Sequence, residues 1–349
     1  MALTITHLEP HMKAIGLTHY LPISDPLSLQ EFDLPMPIAA GRDLLVQVAA
    51  ISVNPVDTKV RKPKDTVEMV PKVLGWDAAG TVTAIGPDVT HFKVGDLVYY
   101  AGSILRPGAN SEFHLVDERI AGHKPASLHF IQAAALPLTT ITAWEAMFDR
   151  LRINRDGADA GKSILIIGGA GGVGSIAIQL AKQVAQLRVI TTASRPASAK
   201  WCRDLGADLV IDHTGDMQAQ LLALGVTQAD FILCLNDTDM HFPAMSALIA
   251  PQGLICCIVD NNAPLNMASL KAKSAGVVWE MMFTRSMFHT ADMDEQRKLL
   301  NETARLIDAG IIKTTLGEVF GKITAENLRR AHATLEAGRM IGKIVLEGF

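Results

Sequence analysis

The segment Ile164-Leu165-Ile166-Ile167-Gly168-Gly169-Ala170-Gly171-Gly172-Val173-Gly174 most narrows what this chain can become. Its aliphatic run is short enough for one buried strand, and a glycine cluster breaks it before an apolar helical pattern runs on from Gly174 to Gln186. Gly169, Gly171 and Gly174 satisfy the spacing G-x-G-x-x-G at a strand-to-helix turn, where that spacing has a mechanism. The first glycines allow a tight turn, the middle ones let backbone approach a pyrophosphate, and Gly174 lets the helix pack close to the sheet. The free N–H groups of Gly171, Gly172 and Val173, with the positive end of the helix dipole, then face the phosphates. The same stretch carries no charge between Lys162 and Lys182, but its glycines divide it into strand, turn and helix start and so speak against a membrane span.

The pattern around this loop repeats. Strand-like Leu187 to Thr192, Leu209 to Ile211, Asp230 to Leu235 and Gly253 to Val259 alternate with helical Ala197 to Leu205, Gln218 to Leu224 and Phe242 to Ile249. Such alternation predicts a parallel sheet with right-handed crossovers, a doubly wound Rossmann domain over 134–311. Gly276 to Met282 reads as its sixth strand. Residues 1–133 differ in texture: short apolar stretches punctuated by Gly and Pro predict a β-rich domain. The tail 312–349 ends in strand-like Gly342 to Leu346 and is expected to return to that first domain.

Composition excludes several other classes. The 349 residues are 49% apolar and 19% charged, with net charge -4, which argues against disorder and gives no basic face for nucleic acid or anionic membrane. The four cysteines, Cys202, Cys234, Cys256 and Cys257, form no C-x-x-C pair and are expected as free thiols in a reducing compartment. Met1 to Pro10 is too polar for a secretory signal, so the expected location is the cytoplasm.

The second strand points to the cofactor. Sites specific for NAD carry an Asp or Glu about 20 residues past the loop. Here that strand ends Thr192-Ala193-Ser194-Arg195, and the next acid is Asp204, a full helix away. Ser194 can donate to a phosphate oxygen, Arg195 offers a planar fork of donors, and Lys200 adds charge. The expectation is NADP(H) rather than NAD(H).

Separated motifs support a family resemblance: Asn54-Pro55-Val56-Asp57-Thr58, Gly75-Trp76-Asp77-Ala78-Ala79-Gly80, Val94-Gly95-Asp96, Thr142-Ala143-Trp144, the glycine loop and Gly342-Lys343-Ile344-Val345. In these the chain resembles the medium-chain dehydrogenase/reductase superfamily, in particular its zinc-free quinone oxidoreductase branch, from Met12 to Leu346. The resemblance implies a GroES-like catalytic domain beside the Rossmann domain, a cleft between them for nicotinamide and substrate, and a homodimer built by pairing the Gly276 to Met282 edge strands. It also implies a contact of Thr142 with nicotinamide or ribose.

The zinc members of the superfamily hold their metal by a Cys near the Asn54 slot, a His where this chain has Trp76, and a later Cys. None of these is present, the first cysteine being Cys202, and no metal is expected. Hydride addition to a quinone or enone builds negative charge on a carbonyl oxygen, and without metal that charge calls for preorganised donors. Asn54 reads either as such a donor or as a loop starter. Lys59 stands where relatives often place a tyrosine, and reads as a proton donor or as a solvated lysine. Trp76 reads as a wall of an apolar pocket or as core. The expected activity is reduction of quinones or α,β-unsaturated carbonyls; the alternatives are a zinc-type alcohol or aldehyde dehydrogenase and a non-catalytic NADPH-binding protein.

Overall fold

The computed structural model describes residues 10–349. The expectation about a secretory signal in Met1 to Pro10 therefore falls almost wholly outside the described residues.

The front of the chain forms two antiparallel sheets. β1 (His11–Tyr20) pairs with β2 (Gln30–Pro35) on one side, and on the other with the later strand Lys64–Val73. β3 (Asp43–Ser52) leads into the short helix α1 (Pro55–Arg61), which is followed by β4 (Lys64–Val73), β5 (Ala78–Ile85), β6 (Leu97–Tyr100), β7 (Phe113–Asp117) and β8 (Ala121–His123). β3 is largely buried because it has neighbours on both sides: β5 and, over different residues, β7 and a strand from the far end of the chain. Two of these elements escape the sequence pattern. α1 is too short to show helical periodicity, and β4 is an edge strand whose Val67, Met69 and Val70 face solvent, so its apolar residues do not alternate.

Helices α2 (Phe130–Ala134) and α3 (Pro137–Trp144) carry the chain across to the second domain. There β9 (Ser163–Ile167), α4 (Gly172–Gln179), β10 (Arg188–Thr192), α5 (Pro196–Asp204), β11 (Leu209–Ile211), α6 (Met217–Ala223), β12 (Ala229–Cys234), α7 (Thr238–Leu248), β13 (Ile249–Cys257) and β14 (Gly276–Trp279) form a six-stranded sheet. Its order is β11-β10-β9-β12-β13-β14 and every pair is parallel, as the strand-helix alternation predicts. β9 is central and covered on both faces, which is why it reads as a continuous aliphatic run. Ile164 and Ile166 enter a core continuous with the front domain, and Leu165 and Ile167 enter a second core on the opposite face.

After α8 (Thr284–Phe288) and α9 (Glu295–Asp308) the chain turns back. β15 (Leu316–Val319), α10 (Ala325–Glu336) and β16 (Lys343–Glu347) follow, and β16 lies antiparallel to β3 with Val345 opposite Ser52. This register sets the last strand against the start of α1. The fold is mixed α/β: a Rossmann parallel sheet beside a GroES-like β-rich unit. Among the described residues no helix is long and apolar enough to cross a membrane.

Candidate active site

The glycine loop is built by close approach. Gly168 has φ +92, a conformation open to glycine, and its N–H donates to the Thr192 hydroxyl at 3.0 Å. A Cβ on Gly169 would overlap the Thr191 hydroxyl, and one on Gly174 would lie 2.6 Å from Gly169 Cα. The first intrahelical bond of α4 runs from Ser175 N to Gly171 O at 2.9 Å, so the N–H groups of Gly172, Val173 and Gly174 precede it. Gly171, Gly172 and Val173 are half-exposed. The cradle fits a pyrophosphate: bare backbone, free donors and a helix N-terminus at the switch point between β9 and β12.

Ser194 and Arg195 follow β10 and are exposed. The Arg195 guanidinium donates to Arg339 O at 2.8 Å, and Lys200 pairs with Asp204 at 2.6 Å on the surface of α5. An exposed pair of this kind is weak, so both cations are free to turn toward a phosphate. No carboxylate stands at the end of β10.

On the front domain the chain leaves β3 through Ser52, Val53 and Asn54, with Pro55 at the first helical position of α1. Asp57 turns back and accepts from Asn54 N at 2.6 Å, closing the turn. The Asn54 side chain points the other way. Its Nδ2 donates to Asp77 Oδ2 at 2.8 Å, and its Oδ1 accepts from the Lys343 ammonium. Lys343 Nζ also donates to Val53 O at 2.9 Å and to Asp77 Oδ2 at 3.0 Å, which uses all three of its protons. The second Asp77 oxygen accepts from Leu138 N at 2.7 Å, at the start of α3.

Asn54, Asp57 and Asp77 are wholly buried and Lys343 is 3% exposed. Burial pushes Asp57 up to about 7, against the pull of the Asn54 N–H and of Lys343. Burial raises Asp77 as well, opposed first by Lys343 and then by Asn54 and Leu138 N–H. Of the two carboxylates, Asp77 is the one in contact with the Lys343 ammonium, at 3.0 Å. Asp57 Oδ1 and both amide atoms of Asn110, whose side chain covers Gly75, are buried without partners.

Comparison with known proteins identifies the family of this fold. Residues 40–125 match the alcohol dehydrogenase GroES-like domain family, and residues 205–346 match the zinc-binding dehydrogenase family. A zinc-type alcohol dehydrogenase-like protein of Staphylococcus aureus is 43% identical over 336 residues, 96% of this chain and 99% of the relative. The chain belongs to the medium-chain dehydrogenase/reductase superfamily. It is therefore a member of a family of nicotinamide-dependent oxidoreductases. A 2-methylene-furan-3-one reductase of Solanum lycopersicum is 38% identical over 219 residues, 60% of this chain and 54% of that protein. Among solved structures, a zinc-dependent alcohol dehydrogenase protein of Rhizobium etli superposes with TM-score 0.93 at 52% identity, covering 98% of this chain and 99% of the other. The quinone oxidoreductase of Coxiella burnetii gives 0.79 at 28%, covering 97% and 99%. A mycobacterial protein complexed with NADPH gives 0.80 at 27%, covering 97% and 100%.

This superfamily member departs from several expectations at the catalytic end. Asn54 gives one amide proton to Asp77 at 2.8 Å, and the other faces the carbonyls of Trp76 and Ser52 at the long distances of 3.4 and 3.5 Å. Of its two readings, oxyanion donor and loop starter, this bonding favours the second. Lys59 is exposed on α1 and bonds nothing in the site, which is the solvated alternative. Trp76 is core: its Nε1 donates to Ser103 O at 3.1 Å and its ring meets Phe283 edge-on at 6.2 Å. The Thr142 hydroxyl donates back to Leu138 O at 2.8 Å inside α3, which spends its proton and leaves its oxygen able to accept. All four cysteines are free and buried.

The donors at the zinc slots do not fit a metal. Asn54 Oδ1 and Asp77 Oδ2 are bonded to an ammonium, and Trp76 offers no lone pair. Among the described residues no group of three or more His, Cys, Asp or Glu stands close enough to hold an ion. Lys343 is the residue that sequence reasoning missed. It was visible only as part of a terminal motif, and only the β16–β3 register places it beside Asn54.

Proposed function

We propose that this oxidoreductase reduces quinones or α,β-unsaturated carbonyl compounds with NADPH and without zinc. The observation that carries the reading is the Lys343 ammonium seated among Asn54, Asp77 and Val53, where zinc ligands would have to stand. Bound nicotinamide would supply the hydride. The chain would hold the pyrophosphate on the Gly171, Gly172 and Val173 backbone, and the 2′-phosphate by Ser194, Arg195 and Lys200. The structure of a relative solved with NADPH supports the cofactor, and the quinone and furanone reductase relatives support the substrate class.

The test is cofactor oxidation with NADPH and NADH, each against a simple quinone and a simple enone, with and without a chelator. Chelator-insensitive turnover favouring NADPH is expected. Loss of turnover in chelator would overturn the zinc-free reading, and equal use of NADH would overturn the cofactor.

Arg195→Ala should weaken NADPH by about 10-fold or more, the value of one charge-assisted phosphate contact, and leave NADH nearly unchanged. Equal effects on both Michaelis constants would remove Arg195 from the phosphate site.

The partner we propose is a second copy of the chain. β14 is one of the two edge strands of the six-stranded sheet; Trp279 on it, Met281 just after it and Phe288 at the end of α8 are exposed. Light scattering should give a dimer, and Val278→Pro should give a monomer; a monomeric parent protein would refute the pairing.

A further inference from the structure

The charged network touches the glycine loop as well as the catalytic domain, and Lys343 is the contact. Its head group binds Asn54, Val53 and Asp77. Its stem lies over Gly172: a Cβ there would be 2.8 Å from Lys343 Cδ and 2.9 Å from the Thr139 methyl. The preceding residue is tied to the same loop by a bond from Gly342 N to Ala170 O at 2.9 Å. Asp77 completes the circuit through Leu138 N, at the start of the helix that carries Thr139.

We propose that Lys343 is a positioning residue that couples occupation of the glycine loop to the geometry of the catalytic-domain turn at Val53–Asp57. The proposal rests on the reading of that loop as the dinucleotide site. Phosphates settling on the Gly171–Val173 backbone would fix the loop, and a fixed loop leaves the Lys343 stem one seat. The ammonium then holds Asn54 and Asp77 in one arrangement. A buried three-proton donor whose three acceptors come from both sides of the turn is a contiguous packed and hydrogen-bonded network of the kind that carries coupling between sites. Glycine at position 172 is needed on this view for the lysine as well as for the phosphate.

Hydrogen exchange on the intact protein, with and without saturating NADPH, reads the coupling directly. Slower exchange at residues 168–174 reports that dinucleotide is on the loop. Coupling predicts that the amides of Val53, Asn54, Val56, Asp57 and residues 76–78 also slow, by about 5-fold or more, the low end of linkage between sites. Protection confined to the loop and α5 would overturn the coupling while leaving the cofactor site intact. No protection at the loop would overturn the dinucleotide reading and this proposal together.

The double variant Lys343→Met with Asp77→Asn separates charge from packing, because it removes both charges and keeps both shapes. It should protect the loop as the parent does, lose the spread to 53–57, and turn over about 10-fold more slowly at saturating cofactor. Spread and kcat equal to the parent would show that the ammonium is dispensable. Should the double variant not fold, the experiment on the parent protein decides alone.

Discussion

Asp77→Ala should lower the free energy of unfolding by about 3–5 kcal/mol, the cost of leaving a buried charge without its partner. The carboxylate is wholly buried and serves three donors: Lys343 Nζ at 3.0 Å, Asn54 Nδ2 at 2.8 Å and Leu138 N at 2.7 Å. Its removal strands an ammonium that is 3% exposed and so has no water to turn to. Urea unfolding is the measurement, and the midpoint should fall with little change in slope. Arg305→Ala, which removes an exposed pair with Glu302, is the comparison and should barely move the midpoint. A loss for Asp77→Ala below about 1 kcal/mol, the range of a surface pair, would show that solvent reaches the network and that its burial has been overstated. Asp77→Asn should not rescue the protein alone, because one amide edge would present N–H to the ammonium or to the Leu138 N–H. Rescue requires that Lys343 lose its charge too.

The parallel sheet was legible because its signal is local. Each strand of 163–257 is a short aliphatic run, each helix has its own periodicity, and the glycine spacing sits at the one strand-helix turn where it has a meaning. The absence of an acid after β10 was equally local. The catalytic end was not legible for the opposite reason. Asn54 and Lys343 are 289 positions apart, and nothing near either one states that they meet. Asn54 read alone offers an N–H₂ group, and only the fold reveals that Asp77 takes one of its protons. Trp76 read alone is either pocket or core, and Phe283, which decides between them, lies beyond the whole parallel sheet in sequence. Lys59 could not be placed because solvent exposure on a two-turn helix has no sequence period to reveal it. Residues whose role is set by chain neighbours were read, and residues whose role is set by a partner across the sheet were not.

Gly174→Ala should abolish useful dinucleotide binding, by about 10²-fold or more, equivalent to about 2.7 kcal/mol. Helix propensity alone predicts the opposite sign: alanine inside α4 is worth about 1 kcal/mol over glycine. Close approach outweighs it. The new Cβ would fall 2.6 Å from both Gly169 Cα and Gly169 O and would also crowd Gly168 O, all of them backbone atoms with no rotamer to change. The helix must then back away from the sheet, and with it the N–H groups of Gly172 and Val173 leave the phosphate position. Overpacking of this kind also costs about 1–3 kcal/mol of stability, so the melting temperature should fall. Gly171→Ala makes the separation clean. Its Cβ would meet only Gly168 O at 3.6 Å, an ordinary contact, so that variant should fold as the parent does and lose affinity only if the bare backbone at 171 faces the ligand. Equilibrium dialysis against NADPH, with melting curves on both variants, distinguishes the two causes. Wild-type affinity in Gly174→Ala would mean that the helix need not approach the strand so closely, and the glycine spacing would lose its mechanical meaning in this chain. Weak binding with an unchanged melting temperature in Gly171→Ala would locate the pyrophosphate on that residue.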